Sequence, residues 1–152
     1  NQFLETLTGG RITIAALALG ISQGAYNLAL NYSQEREAFG KKINKFQGVS
    51  FKLADMATQI EATRHMVYNT AWLKDNNNSI IKEAAMAKLF SSEVAMKITT
   101  EAIQIHGGYG YIREYNVERF FRDAKILEIG EGTSEVQRIV ISREILKSFN
   151  NQ

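Results

Sequence analysis

The sequence predicts an all-α protein, an antiparallel four-helix bundle, on three observations. The chain has 152 residues and no proline, so nothing in it forces a break in a long helix. Apolar residues recur three and four positions apart through long stretches, with no strand-like alternation. Short connections separate those stretches, one of them the polar run Asp75-Asn76-Asn77-Asn78-Ser79. A chain of this length suits one domain with its own core.

The first ten residues end in Thr8-Gly9-Gly10, which reads as a flexible lead. A first helix is predicted over residues 12 to about 34, apolar nearly all round and therefore largely buried. Gly20 and Gly24 lie four apart in it, and each costs about 1 kcal/mol relative to Ala, so a close neighbour is weighed against simple tolerance. Residues 35–45 break the periodicity and read as a loop carrying Arg36, Phe39, Gly40, Lys41, Lys42 and Lys45. A second helix over about 46–74 follows from Phe46, Val49, Leu53, Met56, Ala57, Ile60, Val67 and Ala71. A third, over about 80–106, places Ile81, Ala84, Ala85, Leu89, Phe90, Val94, Ile98, Ala102, Ile103 and Ile105 inward and stops at Gly107-Gly108. Tyr109-Gly110-Tyr111 is a loop, residues 117–124 a short helix, and residues 134–148 the last one. Trp72 and the methionines at 56, 66, 86 and 96 are most simply core. The second half of the first helix and much of the last offer more apolar surface than one small bundle needs, which predicts an oligomer interface.

Composition excludes several function classes. The chain is 45% apolar and 22% charged, an ordinary globular balance that argues against disorder. A net charge of +2 without a basic run interleaved with aromatics does not make a nucleic-acid platform. Without cysteine there are no disulfides and no thiolate metal sites. No uninterrupted apolar run reaches the roughly 18 residues of a membrane span, residues 12–19 being the nearest, and the start lacks a signal-peptide layout. The two histidines, His65 and His106, have no Glu three residues before them, so a di-iron bundle site is rejected and no metal is expected.

One stretch carries candidate chemistry: Glu128-Ile129-Gly130-Glu131-Gly132-Thr133-Ser134-Glu135-Val136-Gln137-Arg138. It sets Glu131 between two glycines, after an apolar run and before a helix start. Ser134 with Gln137 reads as a capping box, and free N–H groups at that helix start could receive polar ligand atoms. The pattern by itself leaves a general base and an incidental acid in a turn both open. Arg36 with Phe39 would suit a phosphate and a nucleobase, or a solvated Arg beside an aromatic. Gly107-Gly108-Tyr109-Gly110 follows a helix instead of a strand, so it is not the dinucleotide-binding fingerprint.

Seven separated motifs in register resemble one family: Thr8-Gly9-Gly10-Arg11-Ile12, Glu35-Arg36-x-x-Phe39-Gly40, Phe46-Gln47, Leu53-Ala54-Asp55-Met56, Gln104-Ile105-His106-Gly107-Gly108, Arg122-Asp123-Ala124-Lys125, and Glu131 to Arg138. Over essentially the whole chain they resemble the C-terminal helical domain of the acyl-CoA dehydrogenases, most closely the short-chain, butyryl-CoA-type branch. The resemblance implies α,β-dehydrogenation of an acyl-CoA thioester, with Glu131 removing the α-proton. FAD would accept the β-hydride, and an electron-transferring flavoprotein would take its electrons. The Glu131 backbone N–H would help polarise the thioester carbonyl. Apolar surroundings would strip the carboxylate of hydration and make it a better base. FAD contacts are implied for Arg36 at the pyrophosphate and Phe39 near the adenine, for Gln47, Gln104, Ile105, His106, Gly107 and Gly108 toward FAD held mainly by a neighbouring subunit, and for Thr133, Ser134 and Glu135. Acyl-CoA contacts are implied for Thr8, Gly9, Gly10, Arg11 and Gly132.

Three positions depart from the family pattern. Gly130 stands where a Tyr usually precedes the base, which opens space beside the acyl chain. Thr8 replaces an Asp or Asn common at the CoA-contacting turn, and Asn116 a frequent Pro. The family's N-terminal helical domain and middle β-domain are absent from these 152 residues, so the expectation is a single C-terminal domain, inactive in isolation. The resemblance further implies a homodimer or homotetramer in the bacterial cytoplasm or the mitochondrial matrix. Two other readings are an acyl-CoA oxidase using dioxygen and, for the fragment itself, a non-catalytic helical oligomerisation module.

Overall fold

The computed structural model describes residues 2–150, with side chains from Thr8 onward. Five helices follow in order: α1 (Gln2–Glu35), α2 (Gln47–Asp75), α3 (Ile81–His106), α4 (Val117–Leu127) and α5 (Ser134–Asn150). Successive helices alternate in direction. The Lys52–Glu101 pair and the packing of Val67 against Ala87 show α2 and α3 antiparallel, while Tyr32 stacked on His106 shows α1 and α3 ending together. Helix α3 is central and touches α1, α2, α4 and α5. The expected all-α antiparallel bundle is the observed architecture.

Helices α1 and α3 meet along small side chains. Ala15, Ala18, Ala25 and Ala29 on one, and Ala84, Ala87, Ala95 and Ala102 on the other, are fully or almost fully buried. The hydroxyls buried among them close onto their own helices: Ser22 Oγ donates to Ala18 O at 2.8 Å and Thr99 Oγ1 to Ala95 O at 2.8 Å. Each buried donor is thereby satisfied without spacing the helices apart. Larger residues, among them Leu53, Met56, Ile60, Val94, Ile98 and Val117, fill the flanks.

Several details differ from the sequence reading. Thr8-Gly9-Gly10 is helical, because α1 runs unbroken from Gln2. Over Thr8–Glu35 that helix is long and apolar enough, by length and composition, to count as a membrane span, which the longest apolar run did not suggest. Here it packs along α3 and carries the buried Arg11. It is not buried all round: Ala16 is exposed and Leu17 half exposed. Trp72, expected in the core, is 61% exposed. The loop after α1 holds a small antiparallel hairpin, β1 (Glu37–Ala38) paired with β2 (Lys41–Lys42), whose Phe39-Gly40 tip has positive φ at both residues. A short 3-10 turn, Ile43–Lys45, leads into α2, and another, Gly107–Tyr111, follows α3.

Gly24 does hold a neighbour close. A Cβ there would come within 2.6 Å of the Phe120 ring on α4, whereas one at Gly20 would meet nothing within 4 Å. That contact sets how α4 lies on α1, and α4 runs directly into the Glu131 turn.

Candidate functional site

The turn joining α4 to α5 is closed at both ends by its own backbone. Gly130 N donates to Ile126 O at 2.8 Å, and Ser134 N donates to Glu128 O at 3.0 Å. Between these closures Glu131 and Gly132 both adopt left-handed φ, 55° and 93°. For Glu131 that conformation is strained, as only Gly and occasionally Asn or Asp adopt it routinely. Gly132 is required twice over, by its φ and because a Cβ would lie 2.9 Å from Gln137 Nε2.

Two buried side chains reach the carbonyls of this turn. Lys88 of α3 is fully buried and donates from Nζ to Gly132 O at 2.7 Å. Gln137 of α5, also fully buried, donates from Nε2 to the same oxygen at 2.9 Å and to Glu131 O at 3.1 Å. Gln137 is therefore not the partner of a Ser134 capping box. Thr133 caps α5 instead, its Oγ1 accepting from Val136 N at 3.4 Å, while Ser134 Oγ is buried without a partner among the described residues. Other early N–H groups of α5 are occupied too: Ser134 N by Glu128 O, and Gln137 N by Thr133 O. Three of the donors expected to be free there are therefore taken, those of Ser134, Val136 and Gln137. The Glu131 N–H, one residue outside the glycine, takes no acceptor among the described residues.

The Glu131 carboxylate lies against the backbone of α1. A Cβ on Gly10 would come within 2.7 Å of Glu131 Oε2, so the small residue is what lets the acid fold in there. Arg11 beside it is buried; loss of hydration lowers its pKa, opposed by the Glu131 charge. Burial likewise lowers Lys88, opposed by Glu128, Glu131 and Glu135. Glu131 itself is solvent-exposed, so the apolar surroundings expected for it are not supplied by these residues. Thr8 is buried and Gly9 faces Lys74 of α2, so within the Thr8–Arg11 set it is Gly10 that touches the carboxylate, with Arg11 near its charge.

The other predicted contacts gather at the opposite end of the bundle. A cleft of about 500 Å³ is lined by Tyr32, Arg36, Ile43, Ile105, His106, Gly107, Gly108, Tyr109 and Ile112. The Arg36 guanidinium sits 5.6 Å from the centre of the Tyr109 ring. His106 stacks on Tyr32 at 4.3 Å, and its Nδ1 lies 2.7 Å from Ala102 O. Burial lowers the His106 pKa below its ordinary value, partly opposed by that backbone contact. Space is open over Gly107 and Gly108, where a ligand could approach the backbone, whereas Gly110 is packing: a Cβ there would be 2.5 Å from Ile103 O. Phe39 is 97% exposed at the hairpin tip, and Gln47 is exposed at the start of α2. Gln104 faces a second cleft, with Tyr111, Arg113, Glu118, Phe121 and Arg122.

The implied FAD contacts thus fall into two groups. Arg11 and Glu35 stand near opposite ends of α1, about 36 Å apart at the helical rise of about 1.5 Å per residue. Thr133, Ser134 and Glu135 belong to the first end, Arg36 and the segment 105–108 to the second. The sequence reading missed Lys88. Its signal was there, since Lys88 lies three and four residues after Ala85 and Ala84, on the inward stripe of α3.

Fold and site together define a helical domain that offers one carboxylate on a left-handed turn at one end and a cationic, aromatic cleft at the other. The chain matches the acyl-CoA dehydrogenase C-terminal domain over residues 1–146, and it belongs to that family. It is 60% identical over 147 residues to the probable acyl-CoA dehydrogenase YngJ of Bacillus subtilis, covering 97% of this chain and 39% of that protein. It is 50% identical over 147 residues to subunit CarC of the caffeyl-CoA reductase–Etf complex of Acetobacterium woodii, again 97% of this chain and 39% of the relative. The solved butyryl-CoA dehydrogenase of Megasphaera elsdenii superposes with a TM-score of 0.93 at 53% identity, over 94% of this chain and 37% of that one. The chain spans less than two-fifths of the length of each.

Proposed function

We propose that this chain is the C-terminal domain of a longer FAD-dependent acyl-CoA dehydrogenase acting on short-chain thioesters, with Glu131 as the base that removes the α-proton. The observation that carries the reading is the Glu131 turn. One residue there provides an aimed carboxylate over Gly10 and an N–H with no acceptor among the described residues. A carboxylate and a donor from the same residue suit a thioester, whose α-proton becomes removable when its carbonyl oxygen is held by a donor. Exposure of Glu131 fits a domain whose substrate is covered by other parts of the protein, an N-terminal helical domain and a middle β-domain. Closing the site with them would exclude water from the carboxylate.

The cleft lined by Arg36 and His106, at the other end of the bundle, suits the cofactor. Arg36 at its lip can pair two oxygens of a bisphosphate, and Tyr32, Tyr109 and the exposed Phe39 offer aromatic faces to an adenine. Bound FAD would supply the hydride acceptor. Because the two ends of α1 lie farther apart than one extended dinucleotide reaches, Thr133, Ser134 and Glu135 would face one cofactor while Arg36, His106, Gly107 and Gly108 face another. Such an arrangement calls for at least a homodimer, with a homotetramer as the larger option, and the exposed Ile139, Ile145, Leu146 and Phe149 of α5 are suited to an interface. An electron-transferring flavoprotein is the proposed acceptor, by analogy with the Etf complex of the CarC relative. Bacterial cytoplasm or mitochondrial matrix is the matching compartment.

Gly130 bears on the acyl chain. A Cβ there meets only Ile126 O, at 3.4 Å, so room is left beside the base for a branch or a ring. The test uses the longer protein that carries this domain, assayed with butyryl-CoA and an electron-transferring flavoprotein. Glu131→Gln should keep its flavin and lose turnover by about 10²–10⁴-fold; full turnover in that variant would remove Glu131 as the base. Turnover as fast with dioxygen alone would favour the oxidase reading, and tight FAD binding by the isolated chain would count against a bare oligomerisation module.

A further inference from the structure

Lys88 is an unexpected residue to find wholly inside a helical core. A fully buried lysine is rare, because its ammonium gives up hydration that an apolar side chain of similar length never had. Nothing in the bundle packing calls for it, since its neighbours on the inward stripe of α3 are Ala84, Ala85, Ser91 and Ser92. Its one side-chain hydrogen bond among the described residues goes to Gly132 O, at 2.7 Å, across 44 positions of sequence. Gln137 reaches the same oxygen from another helix and adds a bond to Glu131 O. Two buried donors on two helices therefore converge on the carbonyls of two consecutive left-handed residues.

A non-glycine residue in the left-handed region persists only where its surroundings over-determine it. Backbone closure of the turn at Ile126 and Glu128 leaves the peptide planes of Glu131 and Gly132 free to turn, and their carbonyls are the handles by which those planes are held. We propose that Lys88 is a positioning residue for the base. By holding Gly132 O together with Gln137, it keeps the Glu131–Gly132 turn left-handed, and so aims both the Glu131 carboxylate and the Glu131 N–H. This rests on the proposed role of Glu131. Lys88 touches neither substrate nor cofactor in this account. It acts on the reaction through the backbone of Gly132.

The test uses the longer flavin-loaded protein with Lys88→Met, which keeps the stem and removes the donor, measured beside Glu131→Gln. Turnover is expressed per bound flavin. A misaimed base lowers kcat by about 10- to 100-fold, while KM for the acyl-CoA changes by less than about threefold. A merely structural lysine would lower flavin content or melting temperature and leave kcat per bound flavin within about twofold of the parent; that result overturns the proposal. If Lys88→Met yields no folded holoprotein, Gln137→Leu decides by the same readout: a comparable fall in kcat supports the proposal, and an unchanged kcat overturns it. Should Glu131→Gln turn over normally, the base assignment falls and this inference with it. An inactive Glu131→Gln beside a fully active Lys88→Met sinks the positioning role alone.

Discussion

Gly20 and Gly24 provide a matched pair on one helix. Replacing either by Ala gains the same helix propensity, about 1 kcal/mol, so the propensity term cancels in the comparison. What remains is packing. At Gly20 the new methyl meets nothing within 4 Å, and the gain stands unopposed. At Gly24 it lands 2.6 Å from Phe120 Cε1 and 2.9 Å from Cζ. Ordinary carbon contacts begin at about 3.5 Å, so the ring must retreat by about 0.9 Å. Phe120 is half-buried against the main core, and forcing a methyl into such packing costs about 1–3 kcal/mol. Gly20→Ala should therefore stabilise the chain by about 1 kcal/mol, with Gly24→Ala lying about 1–3 kcal/mol below it. Thermal unfolding of the isolated chain reads this directly, at about 2–4 °C per kcal/mol for a domain of this size. Equal stabilisation by both substitutions would refute the close α1–α4 approach, and with it the account of how α4 is set before the Glu131 turn.

Gly130→Tyr fills the space left beside the proposed base without meeting anything closer than Ile126 O at the Cβ. In the longer protein it should lower kcat/KM for a branched or aryl acyl-CoA relative to butyryl-CoA by about 10- to 200-fold, and an unchanged preference across that substrate panel counts against Gly130 as the determinant. His106 titrates below its ordinary value of 6.5 because burial disfavours its charged form. Between those two values the unfolded chain binds more protons than the folded one. The stability contributed by neutral His106 is thus full above 6.5 and lost as pH falls through the folded value. Melting temperatures taken from about pH 7.5 down to 5 should show His106→Leu losing less stability on acidification than the parent. Parallel curves would remove His106 as a source of that dependence.

The long helices were legible because each is written in local pattern: apolar spacing, the absence of proline, and the glycine stop after His106. The boundary errors share a cause. Gly9-Gly10 looked like a flexible lead, since glycine weakens a helix in isolation, but here Gly10 is kept small by the Glu131 carboxylate lying against it. Ser134 and Gln137 matched a capping pattern, yet Gln137 is drawn to the carbonyls of the preceding turn and Thr133 takes the cap. Trp72 sat at core spacing, although the described residues leave it 61% exposed on α2.

The residues alone determined the fold class, the order of the helices and, through seven motifs in register, the family. Those features depend on neighbours in sequence, or on a pattern long enough to be read without knowing what touches what. Only the tertiary structure decided that the implied cofactor contacts separate to opposite ends of α1. It also showed that Gly24 spaces two helices where Gly20 does not, and that a lysine 44 residues from Gly132 donates to that residue's carbonyl in the turn bearing Glu131. Each of these is a contact across the fold. Its energy depends on distances of a few ångströms between segments whose approach no local pattern specifies.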